Sequence, residues 1–135
     1  GIKEASGNIE QAMDILRAAP AGFELLSGED ALNLPLMAVG ACGTISVTAN
    51  VAPRLMKDFV DAALHKDWDE ARRLHFNLLE LHRAMFFESN PIPAKTALSL
   101  MGIIRDEFRL PLVQAAGTTR DKLARVLEQM GLLPS

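Results

Sequence analysis

The chain has 135 residues, 49% of them hydrophobic and 23% charged, with a formal net charge of −3. That length supports one domain with a real core, and the slight acidic excess offers no basic field for nucleic acid or an anionic membrane. The lone cysteine, Cys42, cannot form an internal disulfide and fits a reducing, cytoplasmic setting.

Gly1, Ile2 and Lys3 read as the end of a β-strand with no strand in front of them, and with Lys3 and Glu4 among these residues they are not expected to be an apolar leader. Asn8 to Ala19 follows as an amphipathic helix with Ile9, Ala12, Met13, Leu16 and Ala19 on one face. Ser6 or Asn8 caps it, and Pro20 and Gly22 end the unit. FELLSG (23–28) is a second short strand and EDALNLPLMAVG (29–40) a second helix. TISVTAN (44–50), rich in β-branched residues, is a third strand, and a third helix runs from Val51 to Leu64. No charged residue occurs from Ala31 to Pro53. Pro35, Gly40, Gly43, Asn33 and Asn50 nevertheless break it, so a buried helix and then a buried strand fit better than a membrane span.

Three strands, each followed by a helix, imply parallel pairing through crossover connections. Their ends near Lys3, Ser27 and Thr48 lie a little over twenty residues apart, tight even for a (β/α) barrel. A parallel sheet of three strands leaves two edges unpaired. Further strands are therefore expected from elsewhere, and the chain reads as part of a larger fold.

Residues 65–135 change character. Asp67 caps a long helix running to about Phe87, with Ala71, Leu74, Leu78, Leu81 and Met85 forming a packing seam. Pro93 starts a further helix ended by Gly102. EFRLPLVQ (107–114) is extended, and Thr119 caps a last helix with Gly131 just beyond its end.

Lys3 sits where a parallel strand runs out into its loop, the end that carries the active site in α/β barrels. An amine enclosed by apolar walls loses the hydration that favours its charged form, and the neutral amine attacks carbonyls to give an imine. The competing reading is a surface lysine paired with Glu4 or a neighbouring acidic residue. Gly28 in SGED is either a plain turn glycine or a point of close backbone approach to a ligand. The main chain from Ile45 to Thr48 has the same two readings. His75 and His82 share a helix face, but no carboxylate or cysteine joins them at ligand spacing, so no metal or other cofactor is expected. GACG (40–43) is no dinucleotide fingerprint, and Cys42 reads as a small buried hydrophobe. No tyrosine is present, so a phenolic proton relay would come from outside this chain.

Taken together, GIKEASGN (1–8), LLSGEDALNLPLMAVGACGTISVTANVAPR (25–54), NPIPAKTAL (90–98) and the trailing RLPLVQ and KLARVLEQMGLL resemble the C-terminal half of the 4-hydroxy-tetrahydrodipicolinate synthase (dihydrodipicolinate synthase) family. The resemblance implies a (β/α)8 TIM barrel. Residues 1–64 would supply βα units six to eight, and residues 65–135 a C-terminal helical extension, usually within a homotetramer. It implies condensation of pyruvate with aspartate semialdehyde in lysine biosynthesis, through a Schiff base on a lysine ending the sixth strand. Lys3 occupies that lysine's place. Gly28 and the main chain of Ile45 fall where the family lines its pyruvate pocket, and Glu29 and Asn90 fall near it. Ala41-Cys42-Gly43 stands where relatives often carry paired glycines.

The N-terminal half of the barrel, with its carboxylate-binding threonines, relay tyrosines and substrate arginine, is not in this sequence. This part is expected to be inactive without it. The alternatives are another pyruvate-dependent aldolase, such as an N-acetylneuraminate lyase or keto-deoxy sugar acid aldolase, and a non-catalytic module assembling through its helices.

Overall fold

In the computed structural model, which describes residues 1–133, three short strands form a parallel sheet in the order β1 (Ile2–Glu4), β2 (Leu25–Ser27), β3 (Gly43–Thr44). Lys3 pairs with Leu26, and Leu26 with Gly43. Each strand leads into a helix: α1 (Ile9–Ala18), α2 (Asn33–Ala38) and α3 (Pro53–Leu64). Three more follow, α4 (Trp68–Ala84), α5 (Ile92–Leu100) and α6 (Gly117–Gln129). This is an α/β arrangement with a helical second half, as the pattern of residues predicts.

Caps and periodicity account for most of the helices. Asn8 Oδ1 accepts the Gln11 amide at the start of α1, and Asp67 Oδ1 accepts the Glu70 amide at the start of α4, both at 3.2 Å. Each satisfies an amide that has no partner within its helix. The Ala71–Leu74–Leu78–Leu81–Met85 seam is buried along its whole length, and α4 packs on α3 and α6 through it. Gly102 and Gly131 take positive φ just past α5 and α6, where a side chain would be strained. One continuous core runs from Ala12 and Leu25 through Phe59 and Leu78 to Leu123 and Leu127. Truncation of the fully buried Leu78 to alanine should lower the unfolding free energy by about 2–5 kcal/mol. Urea denaturation reads this as a lower midpoint with an unchanged slope.

Several local expectations are corrected. The third strand stops at Thr44, and Thr48–Asn50 is a 3-10 turn rather than strand. Its β-branched residues favour extension, but Asp30 Oδ2 accepts the Val47 and Thr48 amides, both at 2.9 Å, and the chain bends there. The second helix opens as a 3-10 turn over Asp30–Leu32 before α2, because Pro35 has no amide to continue an α-helical ladder backwards. Helix α4 ends at Ala84, and the Phe86 and Phe87 amides bond three residues back instead of four. Helix α6 begins at Gly117 without a side-chain cap, so Thr119 lies inside it, buried. Met13, expected on the packed face of α1, is 43% exposed, and only Ala12 there is buried. Cys42 is exposed rather than core. Residues 107–114 are irregular, with a turn closed by the Leu112 amide on Arg109 O. Among the described residues no helix is long and apolar enough to cross a membrane.

Candidate active site

Side chains alternate across a strand, so the register decides what meets at the C-terminal ends of β1 to β3. Lys3, Leu26 and Gly43 share one sheet face, and Gly28 and Ile45, each two residues further along, return to it. Glu4 faces the other way. Its carboxylate is buried and accepts the Ser6 amide (2.9 Å) and Gln11 Nε2 (3.2 Å). Glu4 is therefore not the partner of Lys3, and among the described residues Lys3 makes no ion pair.

The Lys3 stem crosses directly over Gly28. A Cβ at position 28 would lie 2.7 Å from Lys3 Cε, 2.9 Å from Lys3 Cγ and 2.7 Å from Ala5 Cβ. Only a glycine leaves room for that path. Gly28 is held in place by its own amide, which donates to Glu4 O at 2.7 Å.

Beyond Gly28, Lys3 reaches a cleft of about 250 Å³. One wall is the chain leaving β3, Ile45 to Asn50; the other is the entry to α5, from Asn90 and Pro91 to Ala94, Lys95 and Leu98. The Ile45 amide is engaged by Ser27 O at 2.8 Å. Its carbonyl has no hydrogen-bond partner among the described residues, and its side chain is about half exposed.

Of the five residues singled out in the sequence, Lys3, Ile45 and Asn90 line this cleft, and Gly28 lies beneath Lys3. Glu29 does not line it; its side chain caps the Asp30–Leu32 turn through the Ala31 amide. Ser46 and Val47, within the Ile45–Thr48 main chain singled out in the sequence, line it too, whereas Asn50 and Lys95 line the cleft without having been foreseen. Lys95 Nζ bonds Glu107 O and stacks over the Phe108 ring at 4.5 Å, which ties α5 to the 107–114 segment. Its place in NPIPAK was the available signal.

Behind the Ile45–Asn50 wall lies a buried polar chain. Asp30 accepts the Val47 and Thr48 amides through Oδ2 and Asn33 Nδ2 (3.1 Å) through Oδ1. Thr48 Oγ1 is paired with His82 Nδ1 at 2.8 Å. The His82 and His75 rings sit 5.9 Å apart, centre to centre, on the buried face of α4. The face they share therefore lies within the core.

Burial pushes the His82 imidazole from 6.5 down to about 4, the charge of Asp30 opposing the fall and His75 adding to it. Burial pushes His75 down as well. Above pH 6.5 His82 is neutral in both the folded and unfolded states, so the full stability is present. Between 6.5 and about 4 the unfolded chain takes up a proton that the folded chain refuses, and stability falls. His82 alone should contribute a loss of about 3 kcal/mol by the bottom of that window. Urea midpoints at pH 7.5 and 4.5 should differ accordingly, and His82→Asn should remove part of the slope.

The Dihydrodipicolinate synthetase family model matches residues 1–130, and the chain belongs to that family. A 4-hydroxy-tetrahydrodipicolinate synthase of Thermodesulfovibrio yellowstonii is 47% identical over 133 residues, covering 98% of this chain and 46% of the relative. The crystal structure of dihydrodipicolinate synthase from Aquifex aeolicus superposes with a TM-score of 0.94 at 42% identity, covering 96% of this chain and 44% of that one. The chloride-inhibited dihydrodipicolinate synthase of Acinetobacter baumannii, solved in complex with pyruvate, superposes with a TM-score of 0.94 at 39% identity, over 98% of this chain and 46% of that one. The chain thus spans a little under half the length of these relatives.

Proposed function

We propose that this chain is the C-terminal part of a (β/α)8 barrel, βα units six to eight plus the helical extension. In this reading it carries the imine-forming lysine of a 4-hydroxy-tetrahydrodipicolinate synthase acting in lysine biosynthesis. The observation that carries the proposal is the meeting of Lys3, Ile45 and Asn90 in one cleft at the C-terminal ends of parallel strands. Family membership supports the choice of reaction.

The chemistry follows from an amine at that position. Neutral Lys3 Nζ attacks the keto carbon of pyruvate, the C–N bond forms, and the keto oxygen departs as water, leaving an iminium. The iminium withdraws electrons from the adjacent methyl carbon, which loses a proton to give an enamine. That carbon then bonds to the aldehyde carbon of aspartate semialdehyde, whose oxygen takes up a proton to become a hydroxyl. Attack of water or of the substrate's own amine on the regenerated iminium releases Lys3 as the free amine. Ile45 lines the cleft, and its carbonyl, without a hydrogen-bond partner among the described residues, would offer the negative end of a dipole to a site that becomes cationic.

The open edges of β1 and β3 and the exposure of Lys3 are what a sheet awaiting further strands presents. Five further strands would enclose the amine and supply the proton relay, since this chain has no tyrosine. A homotetramer of such barrels in the cytoplasm completes the proposal.

The test uses the intact enzyme, with the rest of the barrel present. Treatment with pyruvate and borohydride should reduce the imine and leave a stable adduct on the peptide containing Lys3, seen by mass spectrometry. An adduct on another lysine, or none, would overturn the assignment. Coupled assays with aspartate semialdehyde against sugar-derived aldehydes settle the second substrate.

A further inference from the structure

The cleft wall from Ile45 to Asn50 has little secondary structure of its own. It leaves the sheet after a strand of two residues and turns through one 3-10 turn. Such a segment holds its shape only if something outside it satisfies and fixes its backbone. Three buried side chains do this, Thr48 of the segment itself and one from each of two other elements. Asp30, 2% exposed, accepts the two amides at the bend from the end of the second βα connection. Thr48, fully buried, is the bend itself, and His82, 2% exposed, pins the Thr48 hydroxyl from α4. Within the turn, Asn50 Nδ2 donates to Val47 O at 3.0 Å, so fixing Val47 and Thr48 also sets Asn50, which lines the cleft.

We propose that Asp30, Thr48 and His82 are positioning residues for the keto-acid site. They lie outside the cleft lining, and they set the Ile45 carbonyl and Asn50 at the distance from Lys3 that imine formation requires. This rests on the reading of Lys3 as the imine-forming residue. The three are joined by hydrogen bonds across 18 and 34 residues of sequence, so Asp30 and His82 tie two distant elements to this wall through buried side chains at the bend. A wall loosened there misplaces groups near the reacting carbon, and a displacement of about 1 Å costs on the order of 10²-fold in a reaction that depends on positioning.

The test compares Thr48→Val, which keeps the shape and removes the hydroxyl, with Thr48→Ser, which keeps the hydroxyl, in the intact enzyme. Two quantities are read: amide hydrogen exchange over residues 45–50 against that of α6, and the pyruvate concentration that half-saturates borohydride trapping on Lys3. Thr48→Val should raise exchange in 45–50 about tenfold with α6 unchanged, and raise the half-saturating pyruvate about tenfold. Thr48→Ser should restore both to within about twofold of the unsubstituted enzyme.

A purely structural role would speed exchange throughout the molecule and leave the pyruvate requirement of the folded fraction alone. If Thr48→Val does not fold, Asp30→Asn is read in the same two ways. Unchanged exchange in 45–50, or an unchanged pyruvate requirement, in a folded variant overturns the proposal. Failure of the unsubstituted enzyme to form any adduct on Lys3 overturns the Lys3 reading instead, and the exchange rates still decide whether the three side chains hold the wall.

Discussion

Replacing Lys3 with arginine in the intact enzyme should abolish the borohydride-trapped pyruvate adduct and lower kcat by on the order of 10³-fold or more. Arginine keeps the positive charge and much of the length, so the substitution separates electrostatics from nucleophilicity. A guanidinium stays protonated throughout the usable pH range and has no free electron pair to offer a carbonyl carbon. If Lys3 served only as a cation to hold a carboxylate, arginine would do that work well, and its bidentate fork would improve it. Activity within tenfold of the unsubstituted enzyme would therefore sink the covalent role while leaving a binding role standing. Fold loss is not the expected explanation for a dead variant. Lys3 is exposed, and among the described residues it makes no ion pair whose removal would destabilise the sheet.

Gly28→Ala should be the second most damaging change, although it adds one methyl group. That methyl would sit 2.7 Å from both Lys3 Cε and Ala5 Cβ, closer than carbon atoms approach without something moving. The Ala5 Cβ is bonded directly to the backbone of the loop after β1 and has no rotamer to escape into. Lys3 does, so the lysine stem gives way and the amine leaves its place in the cleft. Adduct formation should slow by about 10²-fold, with a stability loss of about 1–3 kcal/mol from overpacking.

Gly43→Ala is the matched control. Its Cβ would meet only Leu26 Cδ2, at 3.2 Å, the end of a side chain that can shift by a few tenths of an ångström. Rapid-quench trapping with borohydride measures both variants. An adduct formed on Gly28→Ala at the unsubstituted rate would mean that Lys3 reaches pyruvate by another path. The value of glycine at position 28 is thus steric: it gives space to a neighbouring side chain rather than a backbone angle to its own loop.

Much of the architecture was legible because it is written at short range. The Asn8 and Asp67 caps, the seam of α4 and the glycines ending α5 and α6 each depend on residues within a turn or two of one another. Local periodicity and capping chemistry report such features directly. The alternation of three strands with three helices likewise implied parallel strands, because each crossover helix is contiguous in sequence with the strands it joins. The resemblance put Lys3 at a pocket and Asn90 near it, but nothing local to either could say that they face each other.

What the tertiary structure alone decided are the relations between distant residues. TISVTAN has the composition of a strand, yet Asp30, seventeen and eighteen residues away from the amides it binds, bends it at Val47 and Thr48. Two charge-assisted hydrogen bonds to a buried carboxylate outweigh a β-propensity that spans about 1 kcal/mol across residue types. His75 and His82 looked like a spaced pair of histidines on a helix; only packing shows them buried, with His82 tied to Thr48 behind the cleft wall. Lys3 could be placed at a strand end from sequence alone. Its freedom from Glu4, its path over Gly28 and the wall it faces come from register and packing, where a shift of one residue would turn the amine to the opposite face of the sheet.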